Sequence, residues 1–302
     1  MDAGRATVTW YAPDGTVWPM TDPRQGWFTL PGVQGLGAIP ISLKTDDNPR
    51  GGTRVRHVRN LARTITWPIQ VNGQTHLEWV SRWRALVEAF TQTDRLGAGV
   101  LEIARPDGSI RSISCYYQDG FDSDLPYATD GTAALSLYCE SPEFFGTPNI
   151  FQQWEYTAPG AIDFLDPFPS VSTTQSFEGG TVIFNPGGVT AWPTWTIHGP
   201  ADSITATLLE TGESWTIDPS LLPGGAETFE AGDVITVGTN PPKVSMVPNL
   251  LTVPVPWTGA LNWPNAILWG LPPGNNEVSF SFVGADTTTK IRIEFPPLYR
   301  TA

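Results

Sequence analysis

The sequence predicts a mainly β protein of two parts: an N-terminal α+β sheet or partial barrel carrying one helix, and a C-terminal β-sandwich of jelly-roll, galectin-like type. Three observations support this. Gly 30 and Pro 29 supply turns throughout the 302 residues, only 16% of residues are charged, and Trp 13 stands beside abundant β-branched residues. Turn formers between short aromatic and β-branched runs favour strands over helices. A chain of this length also suffices for two cores of ordinary size.

The elements follow in order. "ATVTWYAPDGTVWPM" reads as a hairpin turning at Pro13-Asp14-Gly15. Residues 31–53 are rich in glycine and proline, which predicts an extended loop over most of the segment. "ARTITWPIQVNG" alternates, with Ile65, Trp67 and Ile69 on one face, and turns at Asn72-Gly73. A helix is predicted from Thr75, where T-H-L-E forms a capping box with Glu78 reaching back to the Thr75 amide. Leu77, Val80, Trp83 or Arg84, Val87 and Phe90 make its apolar stripe. "VLEIARPDGSIRSISCYYQDGF" forms a hairpin across Asp107-Gly108, and "AALSLYCES" adds a strand. Residues 1–145 thus form the first domain.

Residues 146–180, within a stretch of proline, glycine and aromatics without periodicity, read as a connector. From 181 to 302 come nine strand-like runs: "TVIFN", "PTWTIHG", "SITATLLE", "ESWTI", "DVITVG", "KVSMV", "ALNW", "EVSFSFVG" and "KIRIEFPPLYR". Even spacing without a helix predicts the sandwich.

Charge narrows the function. The chain carries −13 in total; residues 1–150 hold 13 Lys+Arg against 16 Asp+Glu, and residues 151–302 hold 4 against 14. So acidic a second half disfavours general nucleic-acid binding. No stretch is long and apolar enough to cross a bilayer, and "MDAGRATVTW" lacks the pattern of a secretory signal, which predicts synthesis in a cytoplasm. Cys115 and Cys139 read as buried thiols.

Catalytic motifs are scarce. His57, His76 and His198 stand at no metal-ligand spacing, and no nucleophile elbow, Walker loop or zinc-protease motif occurs. "GVQGLGAIP" is glycine-rich but precedes no helix, so it does not read as a phosphate cradle. Asp122, Asp124 and Asp130 lack the glycine and glutamate of a helix-loop-helix calcium site. Glu102, Glu140 and Glu143 could be set as a glycosidase pair only by a fold that the sequence does not specify. No catalytic residue, cofactor or metal is expected. Exposed indoles remain as a binding feature: Trp257, Trp263 and Trp269, in or beside "VPWTGALNWPNAILWG", are candidates for a glycan or partner surface, against the alternative that they fill the core.

Taken in order, the N-terminal hairpin, the glycine-rich loop, "RTITWPIQVNG", the helix and "GAGVLEIARPDGSIRSISCYY" resemble the N-terminal domain of the distal tail protein (Dit) family of long-tailed bacteriophages. "NPGGVTAWPTWTIHGP", "AGDVITVGTNPPKV", "LPPGNNEVSFSF" and "IRIEFPPLYR" resemble that family's C-terminal sandwich. Gly238 and Thr239 depart from an Asp-Thr pair common there. The resemblance implies a structural hub of the virion tail tip or baseplate: a homo-hexameric ring joining the tail tube protein to tail-associated or receptor-binding proteins, through which DNA passes unread.

A ring would give work to the arginines of "RVRHVRNLAR". Arg54, Arg56, Arg59 and Arg63 are candidates to meet a neighbour's carboxylates, with Asp46 and Asp47 as counterparts, since complementary charge fixes the register of a head-to-tail contact. The alternative is a solvated strand edge kept from aggregating by its charge. A carbohydrate-binding module recognising host-surface glycan is the other functional reading.

Overall fold

The computed structural model describes residues 4–122, 129–155, 176–223 and 229–302, with the backbone alone at 176–179. The chain divides into two units, Met1–Thr147 with Leu298–Ala302, and Pro148–Pro297.

The first unit opens with β1 (Thr7–Tyr11) and β2 (Val17–Pro19), paired around the Pro-Asp-Gly turn. β3 (Trp27–Thr29) follows, then β4 (Ile41–Asp47), β5 (Thr53–Asn60) and β6 (Arg63–Asn72). After α1 (His76–Thr91) and the short α2 (Thr93–Leu96) come β7 (Gly99–Ala104), β8 (Ile110–Asp119), β9 (Asp130–Cys139) and β10 (Phe144–Gly146). The main sheet runs β2-β1-β7-β8-β9-β6-β3 and curls into a half-barrel. β6 lies near its edge with Ile65, Trp67, Ile69 and Val71 buried at every second position, as a half-buried strand requires.

α1 covers the sheet. Thr75 Oγ1 accepts from the Glu78 amide at 3.2 Å, and Glu78 answers through the Gln74 amide at 2.7 Å, one residue earlier than the sequence predicts. The buried stripe is also rotated: Trp79, Trp83, Leu86, Ala89 and Phe90 face the sheet, whereas Leu77 is exposed. Two indoles and a phenyl offer more apolar area than leucine and valine, and each fully buried side chain of this kind contributes roughly 1.5–3 kcal/mol. Phe90 stacks on Trp10 at 4.6 Å, and the Trp10 indole donates to the Ala89 carbonyl at 3.0 Å.

The second unit is a sandwich of antiparallel sheets. Its strands are β11 (Ile150–Glu155), β12 (Ser176–Asn185), β13 (Thr194–His198), β14 (Ser203–Leu208), β15 (Glu213–Ile217), β16 (Val234–Thr239), β17 (Pro242–Val247), β18 (Val255–Pro256), β19 (Gly274–Val283) and β20 (Lys290–Phe295). One sheet is ordered β11-β20-β13-β16-β17-β18 and the other β12-β19-β14-β15. Between them Trp195 meets Trp215 and Trp269 edge to face, at 5.8 and 5.3 Å. "ALNW" is no strand; it leaves a 3-10 turn, Thr258–Ala260, and touches Ile217 by a single bridge at Leu261.

Two differences concern boundaries. β11 belongs to the sandwich rather than to a connector, because it pairs in full with β20 from Ile150↔Phe295 to Glu155↔Lys290. The last residues leave the sandwich. Pro296 and Pro297 end β20, neither having an N–H for the ladder, and β21 (Leu298–Tyr299) pairs with β10 in the first unit. Most of the expected connector, residues 156–175, lies outside the described residues.

Candidate interaction surfaces

β4 and β5 form a two-stranded sheet that pairs with no other described strand, turning through residues 48–52. Every residue of β5 is exposed, as is every residue of β4 except the half-buried Asp46. The register runs Ile41↔Asn60, Ser42↔Arg59, Leu43↔Val58 and Lys44↔His57, then shifts to Thr45↔Val55, Asp46↔Arg54 and Asp47↔Thr53. Arg56 is the extra residue of this bulge. Since strand side chains alternate, the shift returns Val55 to the side of Val58.

Ile41, Leu43, Val55 and Val58 therefore share one face, with Leu43 52% and Val55 49% exposed. Ser42, Lys44, Asp46, Arg54, His57 and Arg59 share the other. Arg56 bonds the Asp46 carboxylate by its Nε within the same hairpin. Residues 41–60 hold five Lys and Arg against two Asp, a local +3 in a chain of −13. Of the six residues expected at a ring interface, Arg54, Arg56, Arg59, Asp46 and Asp47 lie on this hairpin.

Arg63 does not. It is 1% exposed and starts β6, where its guanidinium donates to the carbonyls of Pro142 (2.9 Å), Gly35 (2.5 Å), Gly37 (2.9 Å) and Arg300 (2.8 Å). It also lies over the Phe144 ring at 4.8 Å. Burial pushes its pKa down from the usual arginine value. The expectation fails here because four carbonyls from three separate segments converge on this cation and enclose it. The glycine-rich loop is part of that enclosure: Gly35 has φ +87°, and a Cβ there would lie 2.9 Å from Ile65 Cα.

The expected aromatic surface is reduced to one residue. Trp263 is 53% exposed and donates its indole N–H to Thr258 O at 3.2 Å. Trp257 is 1% exposed beside Phe229, and Trp269 is buried against Trp195. Both fill the sandwich core, where large indoles close the space between sheets.

The turn motifs also resolve into structure. Asn276 of "LPPGNNEV" donates to the carbonyls of Ile183, Pro272 and Gly274, while Asn185 of "NPGG" donates to those of Val189 and Leu271. Asp233 accepts from the Glu230 and Asn249 amides at 2.9 and 2.8 Å, joining two loops.

Other ionisable groups are dispersed. Glu102 accepts from Tyr11, His76 stacks on Trp79, and His198 lies across from Lys290. Among the described residues no three His, Cys, Asp or Glu side chains are grouped as metal ligands; Asp124, of the loop that the sequence disfavours as a calcium site, lies outside them. A cleft of about 560 Å³ in the first unit is lined by Leu30, Pro68, Gly120, Asp122, Thr132, Ala133 and Ala134, with Asp122 its one carboxylate among the described residues. No described helix is long and apolar enough to cross a membrane.

No protein-family model and no curated protein sequence matches the chain. Solved structures do. The crystal structure of the Dit protein of phage SPP1, described as a paradigm of hub adsorption apparatus in phages infecting Gram-positive bacteria, superposes with a TM-score of 0.64 at 15% identity, over 96% of this chain and 98% of that one. The phage P2 baseplate in its activated conformation, solved with calcium and with strontium, gives 0.50 at 10% identity, again over 96% and 98%. The chain therefore has a Dit-like fold over nearly all of its length, that of the phage hub and baseplate proteins.

Proposed function

We propose that the chain is a structural hub of a phage tail tip, six copies of which close into a ring that joins the tail tube to the tip proteins and lets DNA pass. The observation that carries this reading is the hairpin of β4 and β5, which exposes four aliphatic side chains on one face and gathers Lys44, Asp46, Arg54 and Arg59 on the other. A head-to-tail contact repeated by rotation closes a ring without requiring a second kind of subunit. The local +3 of the hairpin faces an otherwise acidic chain, so a second copy is a complementary partner, and Arg54, Arg56, Arg59, Asp46 and Asp47 would fix its register. The work is mechanical joining, without catalysis or cofactor, and the place of action is the virion.

The similarity to SPP1 Dit and the P2 baseplate supports the reading through fold. Negative-stain imaging and native mass measurement of the purified chain test it. A six-fold ring with a central hole is the expected result; a monomer at high concentration overturns it.

A second reading, attachment to host-surface glycan by the second unit, is favoured by the exposed indole of Trp263. Sugar rings stack on such faces. Binding to a glycan array that survives Trp263→Ala removes that residue from the account.

A further inference from the structure

The register that assembles the first unit also brings its two cysteines together. Tyr116 pairs with Tyr138 and Tyr117 with Leu137, so the next step along this antiparallel ladder sets Cys115 opposite Cys139. Their sulfurs are 3.2 Å apart and both side chains are wholly buried. Opposed residues on antiparallel strands hold their Cα atoms about 4.5–5.5 Å apart, within the range that a disulfide spans. Closing the bond needs rotation of the two thiols, not relocation of a strand.

A second feature distinguishes this pair from inert core cysteines. Arg63 stands opposite Cys139 in the β6–β9 ladder. Its four hydrogen bonds go to neutral carbonyls, and its charge is close enough to interact with the Cys139 sulfur and with the Glu143 carboxylate. The thiolate is the nucleophile of thiol chemistry, and of the two sulfurs Cys139 is the one carried opposite this fixed cation. The Cys115 thiol is pushed up by its bond to Cys139 and by burial.

We propose that Cys115 and Cys139 are a latent covalent staple, closed to a disulfide by a small-molecule disulfide oxidant once the protein has left a reducing cytoplasm. The Cys139 thiolate attacks one sulfur of the oxidant, forming a mixed disulfide and releasing a small thiolate that takes up a proton. Cys115 then gives up its proton and attacks the Cys139 sulfur, expelling the second small thiolate. Two electrons pass from the cysteine pair to the oxidant, leaving one protein disulfide and two small thiols. Burial makes entry of the oxidant depend on transient opening between β8 and β9, and the same burial shields the finished bond from reductants. The change of compartment rests on the virion reading; the chemistry does not.

The test uses the reduced full-length chain, held folded with excess glutathione disulfide, then unfolded in acid, treated with iodoacetamide at neutral pH and weighed intact. The expected product is a single chain two hydrogens lighter that takes up no alkyl group, accumulating with time and reverting under dithiothreitol after unfolding. Two alkyl groups on every chain, a lasting glutathione adduct on the wild type, or a cross-linked dimer would each overturn the proposal. A Cys115→Ser chain should stall with glutathione on Cys139, and absence of that adduct would overturn the assignment of the attacking sulfur. A monomeric chain that still closes its staple would sink the ring alone, and a ring whose thiols stay free would sink the staple alone.

Discussion

The guanidinium of Arg63 satisfies carbonyls at Gly35, Gly37, Pro142 and Arg300, which belong to three separate stretches of chain. Arg63→Met would keep the stem packed over Phe144 but leave those carbonyls short of donors, so the first unit should lose about 3 kcal/mol in urea unfolding. Arg63→Lys should recover less than half, because one ammonium cannot reach four acceptors in a plane. His198 makes a pH-dependent contribution. Burial first, and Lys290 second, lower its pKa below the ordinary 6.5, so the unfolded chain takes a proton that the folded chain resists. The contribution is whole above pH 6.5 and declines as pH falls below it; a His198→Gln chain should show a shallower loss over that window. Nothing in "RVRHVRNLAR" separates Arg63 from its neighbours, since its partners lie up to 237 residues away.

The β4–β5 hairpin is an element whose amphipathicity depends on one bulge. Burying four half-exposed aliphatic side chains against a neighbour would contribute on the order of 4 kcal/mol per hairpin. Leu43→Asp with Val55→Asp should therefore abolish assembly in native mass measurement while shifting the thermal midpoint of the single subunit little, because both side chains are solvated there already. Arg54→Glu with Arg59→Glu should instead alter the salt dependence of assembly. The sequence hid β4 because glycine and proline crowd both of its ends, and Ile41 and Leu43 alternate over too few positions to stand out. It displayed β6 openly, since a strand buried on one face must alternate along its whole length. The helix was legible in position through its cap and illegible in rotation: leucine and valine define one stripe, tryptophan another, and only the opposing sheet decides between them.

At the scale of the molecule, the sandwich was legible from evenly spaced strands, whereas the return of residues 298–302 to the first unit was not. Continuity of "KIRIEFPPLYR" hides a boundary that two prolines impose. The second unit is thus inserted between β10 and β21, which pair as Phe144↔Tyr299 and Phe145↔Leu298. Joining residue 147 to 298 by a short glycine-rich linker should give a first unit that folds alone, retaining a cooperative melt. Deleting 298–302 from the whole chain should destabilise that unit by roughly 3–5 kcal/mol, through loss of the β21 ladder and of the bonds to Arg63, Arg105 and Arg111.

The insertion has a mechanical corollary. A pull on the second unit reaches the first through two peptide leads that leave the same end of the β10–β21 pair, so the load peels that ladder rung by rung instead of shearing it. What stops the peel is the far end, where Arg111 lies over the Tyr299 ring at 4.1 Å and Arg63 grips the Arg300 carbonyl. Under such a load, those two side chains would be the rivets.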